Sequence, residues 1–308
     1  MARLSVAAIA ALACLFVPPV LGGAAANGRG QAERPQAVSE LIERMAKDDL
    51  NGLDACRRLI EIGGPAVPGL IRATRHDVPR VRYWSIAALS AIGDEEAVPA
   101  IKRLLDDPEP LVRAVAVWHL GRWFERPDVR EAVVEKLRDT SRFVKGWAMK
   151  LLQAKKYRQA AGEVRALVED ATPEVRYDAL HTLAVLEGHD ALATMKKVLR
   201  EDESALVREC AVRCCTVIEP PTPRTADVLI SALRDADEEV RKAAIKLLRK
   251  GFAQYFGFDP GADPLEREKA VREWRDWYEA NGARLRWNEQ SRRFEAIEAT
   301  PPVQPPEP

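Results

Sequence analysis

The 308-residue sequence is short of the features that usually announce chemistry. Its four histidines, His76, His119, His181 and His189, are followed by Asp, Leu, Thr and Asp, so no His-Glu dipeptide exists. Cys-x-x-Cys, His-Glu-x-x-His and Gly-x-Ser-x-Gly are all absent, which removes the common thiol, zinc-protease and hydrolase signatures. Neither sign of charge is in excess: Lys+Arg and Asp+Glu both number 47. Nucleic-acid binders usually carry a basic surplus or stripe, and no overall surplus is available. The repeated region also lacks the alternation that marks strands. No catalytic residue, metal ligand or cofactor site is expected.

One apolar run is present, at the N-terminus. Met1-Ala-Arg3 is followed by apolar residues from Leu4 to Val17, then Pro18-Pro19 and the small residues Gly22 to Ala26. That is the layout of a secretory signal peptide, 1–26. Cleavage is expected after Ala26, with Ala24 and Ala25 as alternatives. The run is too short to span a bilayer comfortably, and no second run of membrane length follows, so the mature chain is expected to lack a membrane span. An uncleaved anchor helix is the rival reading. Cys14 lies inside the run with Ala11 upstream, where a lipoprotein signal carries a large aliphatic residue. The expected location is periplasmic or secreted.

Loss of Cys14 would leave Cys56, Cys210, Cys214 and Cys215. Cys56 and Cys210 are five repeats apart, roughly 45 Å at about 9 Å per helix layer, beyond disulfide reach. Cys210 and Cys214 are one helical turn apart, poor geometry for a bridge. These thiols are expected to serve as small buried hydrophobes.

What the chain does have is a repeated pattern. Val-Arg or Val-Lys recurs at Val81, Val112, Val144, Val175, Val207 and Val240, in steps of 31, 32, 31, 32 and 33 residues. Each valine opens a main helix, for example Val81 to Ile92. A turn follows, marked by Gly63-Gly64-Pro65, Gly93-Asp94 or Gly188-His189, and then a shorter second helix such as Val98 to Leu105. Neither helix buries its apolar stripe alone, so the units must stack. Val38 to Lys47 and Asn51 to Ile62 are weaker copies, as terminal units often are. Asp77, Asp107, Asp139, Asp170, Asp202 and Asp235 precede the valines by four or five residues. A cation at a helix start opposes the dipole; its recurrence predicts pairing with a loop Asp of the same or adjacent unit. The loop acids can also cap the helices.

The period near 31, the Asp before Val-Arg, and Ala-Val-Pro at Ala66 to Pro68 and Ala97 to Pro99 resemble HEAT repeats. They are similar to the short bacterial type found in phycobilin lyases. The resemblance implies an all-α fold: a right-handed α-solenoid of about seven two-helix HEAT-like repeats over 36–250, preceded by a flexible linker, 27–35. It implies a noncatalytic scaffold that binds a protein or peptide along its concave face. The alternative, a HEAT-like enzyme of lyase or hydroxylase type, rests on fold analogy alone. Deoxyhypusine hydroxylase holds iron through paired His-Glu dipeptides, which this sequence lacks.

Beyond Lys250 the composition turns aromatic, and 251–298 reads as a cap on the last repeat. Asp263-Pro-Leu-Glu266 resembles a capping box with Pro at the first helical position. The helix is expected to run to about Asn281, and Arg284 to Trp287 and Arg292 to Phe294 are spaced for a small hairpin. Phe-Gly-Phe-Asp-Pro with Trp-Arg-Asp-Trp-Tyr is similar to a tail on exported bacterial HEAT-repeat proteins. Trp274 and Trp277 as an exposed patch for a ligand is the rival reading. The Pro-rich segment 299–308 is expected to be disordered.

Candidate partner-binding residues lie on the second helices, which the HEAT resemblance implies as the groove wall. Arg72, Arg103, Glu135, Ala166, Lys197 and Ser231 occupy matching positions, and Lys102, Arg165 and Lys196 add charge. The stripe is mildly basic. Arg72, Lys102, Arg103, Arg165, Lys196 and Lys197 are therefore the expected contact residues for a protein or peptide, and nucleic acid is not expected as a partner.

Overall fold

The computed structural model describes residues 34–219 and 221–297. The expected signal peptide, nearly all of the linker and the Pro-rich tail lie outside them. The chain divides after Lys155 into two compact units. The first contains α1 (Arg34–Met45), α2 (Asp49–Ile62), α3 (Val67–Ala73), α4 (Pro79–Ile92), α5 (Val98–Arg103), α6 (Pro110–Leu120), α7 (Pro127–Glu135) and α8 (Arg142–Ala154). The second contains α9 (Ala161–Ala166), α10 (Pro173–Glu187), α11 (Leu192–Glu201), α12 (Ala205–Cys214), α13 (Thr225–Ala232), α14 (Glu238–Phe252) and α15 (Pro264–Asn281). A hairpin of β1 (Leu285–Asn288) and β2 (Arg293–Ala296) follows, with Trp287 opposite Phe294. Helix α1 begins at Arg34, so it takes in the last two residues of the expected linker.

The fold is all-α, in the HEAT-repeat arrangement. Within each unit the main helices stack in succession: α2, α4, α6 and α8 in the first, α10, α12 and α14 in the second. The shorter second helices pack beside them. Pro occupies the first turn of α4, α6, α7 and α10, where its missing N–H costs nothing. Helix α4 stops at Gly93, whose φ of 82° is left-handed and favours glycine. The repeated valines are the keystones. Val81, Val112, Val144, Val207 and Val240 are 0% exposed and Val175 is 2%; each such burial contributes about 1.5–3 kcal/mol.

The recurring arginines form a ladder, and the structure decides its direction. Arg82 donates through Nε and Nη2 to Asp107, both at 2.7 Å. Arg113 reaches Asp139 at 2.8 Å twice, Arg176 reaches Asp202 at 2.8 and 2.9 Å, and Arg208 reaches Asp235 at 2.8 and 3.0 Å. Each Arg therefore pairs with the Asp that follows its own second helix. Its Nη1 turns back to carbonyls of the preceding loop, as in Arg176 to Asp170 O at 3.0 Å. The paired aspartates do not themselves cap the main helices, although other loop acids do, Asp48 at α2 among them. Oδ1 of Asp107, Asp139, Asp170 and Asp202 accepts from the backbone N–H two residues on, at 2.8–2.9 Å. That bond closes the loop one step before the helix, and the other oxygen is left for Arg. Asp237 does cap α14.

The last repeat shows how the stack ends. Val240, Ala244 and Leu248 of α14 share one core with Phe252, Phe258, Val271, Trp274, Leu285 and Phe294. Trp274 is 0% exposed, which removes it from any exposed ligand patch. Asp263 caps α15 by accepting from the Leu265 and Glu266 N–H groups. Arg241 breaks the pattern: its Nε and Nη2 donate to the Pro260 carbonyl at 2.9 and 2.7 Å. Helix α15 packs against α13, and Asp227 of α13 receives both Lys196 and Arg275.

Candidate functional site

Five of the six expected contact residues hold a neighbouring repeat. In the first unit Lys102 pairs with Asp128 at 2.8 Å and Arg103 donates to Thr74 Oγ1 at 3.0 Å, while Arg72 is exposed. In the second unit Arg165 pairs with Glu187 at 2.6 Å and bonds Thr194. Lys196 pairs with Asp227 at 2.5 Å, and Lys197 pairs with Glu169 at 2.7 Å. Arg165 and Lys197 are brought together on the rim of a groove of about 660 Å³ between α9 and α11. Glu169, Glu201, Asp202 and Glu203 line it too, so it is mixed in charge.

A second groove, of about 330 Å³, lies on the main helices of the first unit. It runs across all four of them, from Cys56 on α2 to Lys155 after α8. Ala87 and Ala91 make a floor of small side chains, and Trp118 and His119 form a wall. Trp118 is half-buried and meets Trp147 edge to face, with centroids 5.2 Å apart. Lys150 Nζ sits 4.9 Å from the Trp147 ring centroid. Burial pushes the His119 imidazole down to about 4, so it is neutral near pH 7 and presents one donor and one acceptor. Arg122 and Lys155 line the groove, and no carboxylate does. Among the described residues neither has an ion-pair partner.

Reasoning confined to the second helices missed this surface. The signal lay in the register of the main helices. The sixth residue after each repeated valine is Ala87, Trp118, Lys150, His181, Arg213 and Lys246. Its chemistry changes while the valine stays constant, and every copy but Ala87 is half-buried or exposed.

Among the described residues Cys56, Cys210, Cys214 and Cys215 form no disulfide. Cys210 and Cys214 are fully buried with sulfurs 3.6 Å apart. The bond to Cys214 and burial both push the Cys210 thiol up, and burial pushes Cys215 up to about 12. Among the described residues no group of three or more His, Cys, Asp or Glu is placed to share a metal ion. No described helix is long and apolar enough to cross a membrane.

No curated protein matches the chain by sequence. Among solved structures it is similar to the complex of CpcE and CpcF of phycocyanin lyase from Nostoc sp. PCC7120. That likeness is 17% identical, covers 83% of this chain and 100% of that one, and has a TM-score of 0.40. It is also similar to YibA of E. coli, 18% identical over 73% of this chain and 77% of that one, TM-score 0.44. Human deoxyhypusine hydroxylase is 19% identical over 70% of this chain and 96% of that one, TM-score 0.34. Such distant likenesses carry no argument about activity. A sequence profile of HEAT repeats matches residues 38–121, 130–215 and 194–251, two thirds of the chain, and with the stacked helix pairs this shows that the chain belongs to the HEAT-repeat family.

Proposed function

We propose that the protein is a noncatalytic, exported scaffold that binds a protein or peptide partner along the faces of its repeat helices. One observation carries the reading: the groove in the first unit crosses four successive main helices and is lined by the half-buried Trp118, whose ring meets Trp147. Four helices at about 9 Å spacing cover roughly 30 Å, the length of about nine extended residues. An extended surface with an aromatic anchor suits a chain segment, and tryptophan and arginine are the residues that most often dominate such contacts. The second-helix face, with Arg72, Lys102, Arg103, Arg165, Lys196 and Lys197, is a further contact surface. Its ion pairs are exposed enough to exchange for a partner's charges at little cost. Export by the 1–26 segment puts the scaffold in the periplasm or outside the cell.

Site-specific photo-crosslinking in the native host tests this. The reactive group is placed at Lys150, at Lys197 and, as control, at Leu265, which is 84% exposed. A protein adduct at Lys150 or Lys197 but not at Leu265 is expected. Absence of adducts at both faces, or a stoichiometric metal or chromophore on the purified protein, would overturn the scaffold reading in favour of an enzyme.

A further inference from the structure

We infer that the main-helix groove of the first unit binds an extended, acidic segment of a partner protein, with an apolar side chain beside its carboxylates. The inference rests on the scaffold reading and adds the chemistry of the partner. The groove is polarised along its length. At the α2–α4 end it is neutral and small: Ile60, Ala87 and Ala91 leave room for an apolar side chain. At the α6–α8 end stand Trp118, Arg122 and Lys155, with Lys150 over the neighbouring Trp147.

Charge decides the partner. On and beside the second helices several cations are matched, as Lys102 is by Asp128, Lys136 by Asp106, and Lys197 by Glu169. Arg122 and Lys155 differ in lining a groove that no carboxylate lines. Arg122 lies against Gly93, where an added Cβ would stand 2.1 Å from its Nη2, so the guanidinium is held by packing and no carboxylate faces it. Lys155 Nζ sits 5.9 Å from the Phe124 ring centroid. Two cations lining one groove repel each other unless an anion joins them. His119, neutral, adds a hydrogen-bond partner to the wall without adding charge. A carboxylate laid between Arg122 and Lys155 satisfies both, while the adjoining residue covers the Trp118 face. A basic segment would meet uncompensated like charge at the same place.

The register follows. Carboxylates lie over α6 and α8, and the apolar residue lies over the alanine floor of α4. The test uses the mature full-length chain and three fluorescein-labelled synthetic nonapeptides. Each carries leucine and phenylalanine at one end, with three glutamates, three glutamines or three lysines at the other. Fluorescence anisotropy is expected to show the glutamate peptide binding at least tenfold tighter than the lysine peptide, with the glutamine peptide between them. The double variant Arg122→Glu, Lys155→Glu is expected to invert that order, which tests the site even where Trp118→Ala perturbs folding. Equal binding of the three peptides, or an order that survives the double reversal, would overturn the inference. A partner crosslinked at Lys150 through a neutral or basic segment would also overturn it and leave the scaffold reading standing. Failure of the scaffold itself shows as no adduct at either face.

Discussion

Arg176→Ala is the sharpest test of the ladder. Arg176 and Asp202 are 9% and 6% exposed in their side chains. The substitution removes two charge-assisted bonds to Asp202 and a third to the Asp170 carbonyl. Deleting one partner of a buried pair costs about 3–5 kcal/mol, because the other charge is left stranded. Two features pull the value to the low end. Asp202 keeps its bond from the Ser204 N–H at 2.8 Å, and both residues line the α9–α11 groove, where water can enter. The expected loss is about 3 kcal/mol, or about 6–12 °C in Tm for a protein of this size. Urea and thermal unfolding followed by circular dichroism read it. Arg200→Ala is the control; its pair with Glu201 is more than half exposed on both sides, and the expected change is within about 0.5 kcal/mol. The pH dependence has a definite sign. Burial would raise the Asp202 carboxyl, but the Arg176 hydrogen bonds and the Ser204 N–H outweigh it and hold it low. The pair's stabilisation is therefore present above the ordinary aspartate value of about 4 and lost as pH falls below it. The gap between wild type and variant should narrow in acid. A loss no greater than that of the control, or a gap that ignores pH, would refute the ladder as a source of stability.

Three further outcomes are expected. Ending the chain after Lys250 exposes the Val240, Ala244 and Leu248 face and should lower both solubility and Tm; an unchanged melting curve would show that 251–298 is not a cap. Gly52→Ala places a Cβ 2.1 Å from Trp84 Nε1 and should cost about 2 kcal/mol through overpacking, whereas Gly251→Ala, with nothing within 4 Å, should stabilise by up to about 1 kcal/mol; urea titrations that rank the two the other way would contradict the packing. Edman sequencing of protein from the native host should start near Asn27, and recovery of Met1 would rule out the signal peptide.

The repeat was legible in the sequence because it is periodic. Six valines in near-constant register require one helix face to meet the same environment six times, and stacked helix pairs are the arrangement that provides it. The shared core of the last main helix and the aromatic segment was legible for a similar reason: Val240, Ala244 and Leu248 leave an apolar face, and the aromatic segment follows at once. Asp263 before Pro264 announced the start of its helix through local capping chemistry alone.

The ladder was legible only in part. Composition and spacing indicated that Arg and Asp would meet, but the choice between two neighbouring loops depends on where the second helix delivers the chain. That choice then committed the aspartates to Arg and the loop N–H, so they do not cap the helices. Arg241 shows the dependence most clearly, since its acceptor is the Pro260 carbonyl 19 residues on and no motif marks it. The second-helix cations stood out by charge, yet ion pairing is decided across repeats, and there most of them found acids. The reverse holds for Trp118, Arg122 and Lys155: each is ordinary in its own helix, and only stacking α2, α4, α6 and α8 side by side assembles them on one groove. Periodicity, set by bonds and spacings along the chain, was in the sequence; the groove and its unmatched charge are sums over several repeats, and the tertiary structure alone performs that sum.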